Sequence, residues 1–342
     1  MRAMILEELG PLAERPDPLR LVERDEPTPG AGEILLRVSV CGVCHTELDE
    51  IEGRTPPPQL PVVPGHQVVG EVAGLGPGAC RFRVGDRVGV AWIYSACGEC
   101  ERCAAGEENL CSRFRATGRD ADGGYVEAMT VPEAFAYTIP EGLADAEAAP
   151  LLCAGAIGYR SLRLTGIENG GRLGLTGFGG SAHLVLPLVA HLQPDTEVYV
   201  FARNPDERAF ARELGAIWAG DTRDQAPRAL DAIIDTTPAW RPVVEALRNL
   251  RPGGRLVVNA IRKEASDQEA LLDLDYGRDL WMEREIQSVA NVTRKDVHDF
   301  LRHAADAGIR PTVTEYPLAD ANRALRELRE GPVRGAKVLR MG

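Results

Sequence analysis

The sequence predicts an α/β protein of two lobes, one mostly β and the other a parallel sheet wrapped by helices. Three observations carry this prediction. The chain has 342 residues, past the roughly 250 to 300 at which a single hydrophobic core stops growing. From about residue 30 to 150, short β-type runs are broken by turn residues. After about residue 152 strands and helices alternate, the rhythm of a parallel sheet with crossover helices.

In chain order, Glu33 to Val40, Gln67 to Val72 and Asp86 to Val90 read as strands of the first lobe, each rich in branched apolar residues. Arg172 to Thr176 opens the second lobe, followed by a helix near 180–192, a strand from Glu197 to Phe201 and a helix near 205–214 that Gly215 stops. Pro187 falls inside the first of these helices and predicts a kink. Asp231 to Asp235 and Arg255 to Asn259 continue the sheet. From about residue 291 the pattern is mixed, with helical spacing over Leu318 to Arg329 and a last strand over Lys337 to Arg340. This gives a first domain over 1–151, containing a cysteine lobe at about 95–112, a second over 152–290, and a segment over 291–342 that rejoins the first. With no repeat and no long linker, the lobes are expected to share a tight cleft.

Composition excludes several classes of function. Hydrophobic residues at 44% and charged residues at 26% describe an ordinary globular chain, not a disordered one. A formal charge of −12 argues against nucleic acid or an anionic membrane as partner, because both need a basic field. No apolar run approaches the roughly 20 residues that span a bilayer. The N-terminal residues Met1 to Glu8 reach acid before an apolar core of signal length builds, so a cytoplasmic location is expected, where thiols stay reduced. Eight cysteines in such a compartment suggest metal.

Cys97, Cys100, Cys103 and Cys111 place four thiols within fifteen residues. Four soft ligands suit tetrahedral zinc and leave no position for water, so the site would be structural. An iron-sulfur cluster and free surface thiols are the alternatives. The stretch Cys41-Gly-Val-Cys-His45 is compatible with haem attachment, a redox dithiol or metal ligation. Covalent haem attachment normally follows export, so a cytoplasmic location disfavours it.

Gly177-Phe-Gly-Gly-Ser-Ala182 follows a predicted strand and opens a predicted helix, the context of a dinucleotide fingerprint. Gly177 permits the tight turn, Gly179 lets the backbone approach a pyrophosphate, and Ala182 fills the third small position. The second strand ends in Ala202 and Arg203, where an NAD-specific chain carries a carboxylate for the ribose hydroxyls. Arg203, with Asn204 and Arg208 nearby, suits a 2′-phosphate, so NADP is favoured. NAD remains possible, with Arg203 a solvated loop arginine.

Taken together, these motifs resemble the zinc-dependent medium-chain alcohol dehydrogenases. The resemblance runs nearly end to end through Cys41 to Thr46, Pro64-Gly-His-Gln67, the cysteine lobe, Leu152-Cys-Ala-Gly155 and the turn at Gly177. It is closest to the branch of bacterial primary alcohol and cinnamyl-alcohol dehydrogenases. It implies a GroES-like domain and a Rossmann coenzyme domain, two zinc ions per chain, and reversible oxidation of a primary alcohol to an aldehyde with NAD(P). Cys44, His66 and Cys153 would hold the catalytic zinc, and the four clustered cysteines the structural one. Two thiolates and an imidazole leave a fourth position open for chemistry. The resemblance further implies that His45 and Lys337 contact the cofactor pyrophosphate, that Thr46 takes the alcohol proton, and that Trp92 lines the substrate pocket. Cys41 and Cys80 are then spare, and a homo-oligomer, dimer or tetramer, is expected.

Two positions depart from that pattern. Gln67 replaces a glutamate, which predicts a weaker negative field behind the zinc. Asp49 replaces a histidine that ends the proton path; a solvated carboxylate is a poor proton store at neutral pH, so the proton would pass straight to water. The rival readings are a non-catalytic nucleotide-sensing protein with only the structural zinc, a polyol dehydrogenase of the same family, and the zinc-free quinone reductases, which lack the ligand trio.

Overall fold

A computed structural model of the chain describes residues 1–331 and 335–342. It divides into two units, one of Met1–Ala156 with Val292–Gly342 and the other of Ile157–Asn291.

The first unit begins with a hairpin of β1 (Arg2–Leu6) and β2 (Leu19–Glu23). Then come β3 (Glu33–Val43), the short helix α1 (His45–Ile51), β4 (Val68–Leu75), β5 (Arg87–Val90) and β6 (Ile93–Ser95). A single turn, α2 (Glu101–Ala104), precedes β7 (Arg115–Ala116), β8 (Ala128–Pro132), β9 (Ala136–Thr138) and α3 (Asp145–Pro150). Leu151–Gly155 forms a wide π turn that leads into α4 (Ala156–Thr165).

The second unit continues with β10 (Arg172–Thr176), α5 (Ala182–Leu192), β11 (Glu197–Phe201), α6 (Pro205–Glu213), β12 (Trp218–Gly220), β13 (Leu230–Asp235), α7 (Arg241–Asn249), β14 (Leu250–Val258) and β15 (Glu285–Ser288). The chain returns to the first unit with α8 (Arg294–Asp306), β16 (Val313–Pro317), α9 (Ala321–Glu330) and β17 (Ala336–Arg340).

Among the described residues of the first unit, the main sheet has the order β16-β17-β3-β4-β5-β9, with β8 also on β3. The ladder of β3 runs past Val40, where the sequence pattern ends it, because β17 supplies a second edge: Arg340 faces Val40, Leu339 faces Cys41, and Lys337 faces Val43. That extension delivers the chain to Cys44 in a fixed direction.

The second unit is a six-stranded parallel sheet of order β12-β11-β10-β13-β14-β15 among the described residues. Numbered within the unit this is 3-2-1-4-5-6, the doubly wound order in which the chain switches between β10 and β13 from adding strands on one side to adding them on the other. Leu173, Leu175, Val198, Val200, Ile233 and Ile234 are buried, as near-continuous apolar strands covered on both faces require. On one face Val243, Ala246 and Leu247 of α7 pack against Tyr199, Phe201, Ile233 and Leu256, each large side chain worth about 1.5–3 kcal/mol of burial. Asn204 caps α6 by accepting the N–H of Asp206, with Pro205 at the first helical position. Pro187 lies inside α5, yet the helix continues to Leu192; the ring removes one backbone donor without ending the element. No helix among the described residues is long and apolar enough to cross a membrane.

Candidate active site

Cys44 stands between strand and helix. Its backbone is extended, with φ −130° and ψ 163°, while the next residue opens α1. Its N–H donates to Glu47 Oε2 at 2.8 Å, which closes the helix start in the manner of a capping box. The other oxygen of Glu47 lies 2.5 Å from His66 Nδ1. His66 turns its opposite nitrogen, Nε2, to within 3.1 Å of Cys153 Sγ. The ligand atoms of Cys44, His66 and Cys153 all lie within 4.8 Å of one another. Cys153 is carried by the π turn Leu151–Gly155, an irregularity frequent at functional sites.

The turn that presents His66 is built of glycine for steric reasons. Gly65 has φ +101°, and a Cβ there would meet the Tyr125 ring at 2.4 Å and Cys41 Sγ at 2.8 Å. A Cβ on Gly123 would sit 2.1 Å from the carbonyl oxygen of Gly65, and one on Gly118 would sit 2.8 Å from the Gly65 nitrogen. Three backbones therefore press together directly beside the histidine.

Charge in this pocket is concentrated. The hydrogen bond with Cys153 holds the Cys44 thiol well below its usual pKa against the opposing effect of burial, and His66 adds to the shift. The same bond and burial push Cys153 up. Burial pulls His66 down, but Glu47 and Cys44 outweigh it and its pKa lies well above the usual value. Two sulfurs and one imidazole nitrogen are a donor set that suits zinc with a fourth position open.

Thr46 Oγ1 lies 3.7 Å from Cys44 Sγ, and His45 is exposed at the start of α1. Asp49 requires a correction: it is not solvated. It is buried, and its Oδ1 accepts from Arg54 Nε at 2.6 Å, because α1 turns it inward against the loop that follows. Gln67 is buried with its side chain against Gly42 of β3. Trp92 stacks on Phe114 at 5.0 Å between centroids, with the Arg119 guanidinium 5.4 Å from its own ring centre.

Sequence reasoning missed two carboxylates. Glu47 bonds the imidazole, and Glu50, one turn further along α1, is 2% exposed with Oε1 unpartnered. Cys44-x-x-Glu47 was a readable signal of a helix start, but nothing in sequence aims the second oxygen of Glu47 at a residue nineteen positions away.

In the cysteine lobe, Cys97, Cys100, Cys103 and Cys111 also gather within 4.8 Å. The N–H groups of Glu99 and Cys100 lower the Cys97 thiol to about 6, a polarisation that favours thiolate and hence metal. Cys41 is buried, and Cys80 is exposed.

In the second unit, Gly177 follows β10 with φ +75°, and a Cβ would crowd Thr237 and Thr236 after β13 at 2.9 and 3.0 Å. A Cβ on Gly179 or Gly180 would meet nothing within 4 Å, so the loop offers bare backbone at the start of α5, as anion binding requires. His183 Nδ1 bonds the carbonyl of Gly179 at 2.8 Å from behind. Ala182 and Ala202 are buried. Arg208 spends its Nη1 on the carbonyls of Ala202 and Arg203 and on Asp221, at 2.7, 3.0 and 3.3 Å. The exposed Arg203 side chain makes no hydrogen bond or ion pair with the described residues. Lys337 is already engaged, its Nζ donating to Tyr316 at 2.6 Å and Glu327 at 3.0 Å; the expected pyrophosphate contact would have to displace these partners.

Residues 30–141 match the alcohol dehydrogenase GroES-like domain. The probable alcohol dehydrogenase AdhA of Mycobacterium tuberculosis is 46% identical over 94% of this chain and 92% of its own. An alcohol dehydrogenase of Geobacillus stearothermophilus is 32% identical over 95% and 96%. A thermostable alcohol dehydrogenase from Pyrobaculum aerophilum, solved with cobalt and zinc bound, superposes with a TM-score of 0.85 at 26% identity, covering 100% of this chain and 99% of that one.

Proposed function

Because the chain belongs to the medium-chain zinc alcohol dehydrogenase family and is an alcohol dehydrogenase by that kinship, we propose that it oxidises a primary alcohol reversibly to an aldehyde, passing hydride to NADP in preference to NAD. The observation that carries this reading is the convergence of Cys44, His66 and Cys153 with Glu47 seated on His66 Nδ1.

Cys44, His66 and Cys153 would hold a catalytic zinc, which when bound supplies the Lewis acidity that makes an alcohol hydroxyl easier to deprotonate. Glu47 fixes the imidazole so that Nε2 is its ligating atom, the role carboxylates play toward metal-bound histidine. Thr46 Oγ1, beside Cys44, is placed to accept the hydroxyl proton. Asp49 is held by Arg54, so the proton would pass to solvent rather than through this carboxylate. Trp92, flanked by Phe114 and Arg119, would supply an aromatic wall for the substrate. Cys97, Cys100, Cys103 and Cys111 would hold a second, structural zinc with no open position.

The bare backbone of Gly179 and Gly180 is suited to a pyrophosphate. Arg203 is the free guanidinium for a 2′-phosphate, where Ala202 leaves no competing carboxylate. The protein is read as cytoplasmic, acting on small alcohols and aldehydes.

Two measurements test the reading. Metal analysis should find two zinc ions per chain, where a nucleotide-sensing protein would carry one. In a panel of primary alcohols and polyols run with both cofactors, wild type should prefer NADP, and Arg203→Ala should raise KM for NADP by about tenfold or more, the scale of one charge-assisted contact, while moving KM for NAD little. Equal effects on both cofactors would overturn the choice of NADP.

A further inference from the structure

Glu50 is a buried acid with no cation of its own. It is 2% exposed, and Oε1 reaches no hydrogen-bond donor. Its surroundings are Glu47 one helical turn back, His66, the indole N–H of Trp92, and Arg119. The Arg119 guanidinium is committed elsewhere, donating from Nε and Nη2 to the carboxylate of Asp120 at 3.2 and 2.8 Å. The Trp92 Nε1 and Tyr125 hydroxyl are likewise buried without a hydrogen-bond partner, and Tyr125 also borders both carboxylates and the thiols of Cys41 and Cys44.

An isolated buried charge is strongly disfavoured, and two carboxylates on adjacent turns repel as well. The pocket therefore gathers Cys44, Cys153, Glu47 and Glu50 around the single imidazole of His66. Such a set is stable as anions only with a strongly positive centre among them, and the ligating trio is where a dication would stand.

We propose that Glu50 is a positioning residue that tightens the hold of Cys44, His66 and Cys153 on their dication, acting by charge through Glu47 and not by ligation. This rests on the reading of that trio as a zinc site. Burial and the neighbouring Glu47 push the Glu50 carboxyl well above its usual pKa in the protein alone. A dication reverses that direction, so metal binding and ionisation of Glu50 support one another.

The test uses zinc-loaded full-length protein and a chromogenic chelator. Release from wild type should resolve into two phases, and the phase missing from Cys153→Ala belongs to the trio. In Glu50→Gln, which removes the charge at nearly constant volume, the trio phase should accelerate about tenfold, the lower end of what outer-shell changes cost. The cysteine-lobe phase should not change. Glu50→Asp, which retains the charge, should release near the wild-type rate. Stripped of metal, Glu50→Gln should melt no lower than stripped wild type, since it removes an uncompensated acid; a purely structural role would lower both forms. Identical trio phases in Glu50→Gln and wild type would overturn the proposal, and so would equal acceleration in Glu50→Gln and Glu50→Asp. A wild-type chain with one zinc and no phase sensitive to Cys153→Ala would instead overturn the zinc reading itself, and the proposal with it.

Discussion

Removing Cys153 should separate the two proposed metal positions. Cys153→Ala is expected to lower turnover well beyond the roughly 10- to 100-fold that an outer-shell change costs, with one zinc retained and the fold intact by circular dichroism. Full activity in a one-zinc variant would sink the assignment. Gln67 tests the field behind the histidine. With Glu47 and Glu50 already buried there, Gln67→Glu adds a third negative charge and opposes loss of a proton nearby. The apparent pKa governing kcat/KM for alcohol oxidation should rise; no change, or a fall, would refute the electrostatic argument. The identity of the trio was legible only through motif resemblance, because its members are separated by 22 and 87 positions. Position 67 alone did not reveal the further carboxylates of Glu47 and Glu50. Carboxylates reach the same imidazole from α1, and a side chain's aim depends on tertiary packing that a one-dimensional pattern does not contain.

Among the elements, the start of α8 is tied to the cysteine lobe by one acid. Glu108 is 4% exposed and accepts from the Arg294 N–H at 2.9 Å and from its Nε at 3.0 Å. Burial works to raise its pKa, but these bonds prevail and the net shift is downward. A depressed carboxylate contributes stability above its unfolded pKa of about 4.3, and the contribution is lost as pH falls through the lower folded value. Glu108→Gln should therefore cost about 1–3 kcal/mol at pH 7, with the gap to wild type closing in urea melts below about pH 4. A gap that persists at low pH would mean shape, not charge, holds this joint. Strand and helix positions were read well from sequence where apolar runs are continuous, as at β10, β11 and β13. The extension of β3 to Val43 was not, because β17, its partner, lies almost 300 residues away in sequence. At Pro187 the helix is not interrupted: α5 is buried along Leu184, Val185, Leu186, Leu188 and Val189, and this packing sustains it across the missing backbone donor.

On the scale of the whole molecule, the outer edge of β15 has no neighbouring strand among the described residues. Ile286 on that strand and Trp281 and Met282 just before it are exposed, and unpaired edges with apolar side chains invite association. A homo-oligomer, dimer or tetramer, is therefore expected. Sedimentation should show Trp281→Glu combined with Ile286→Lys shifting toward monomer; a monomeric wild type at micromolar concentration would remove the argument. The contact of Gly65, Gly118 and Gly123 beside His66 has a different reach. None of the three carries a group that binds or reacts, yet a single methyl at any of them collides with its neighbours. In a saturation library selected for growth, these positions are expected to tolerate as little as Cys44, His66 and Cys153 do. Intolerance to change will thus mark a rim of inert backbone together with the chemistry it frames, and only variants assayed for folding and turnover separately will tell the frame from the picture.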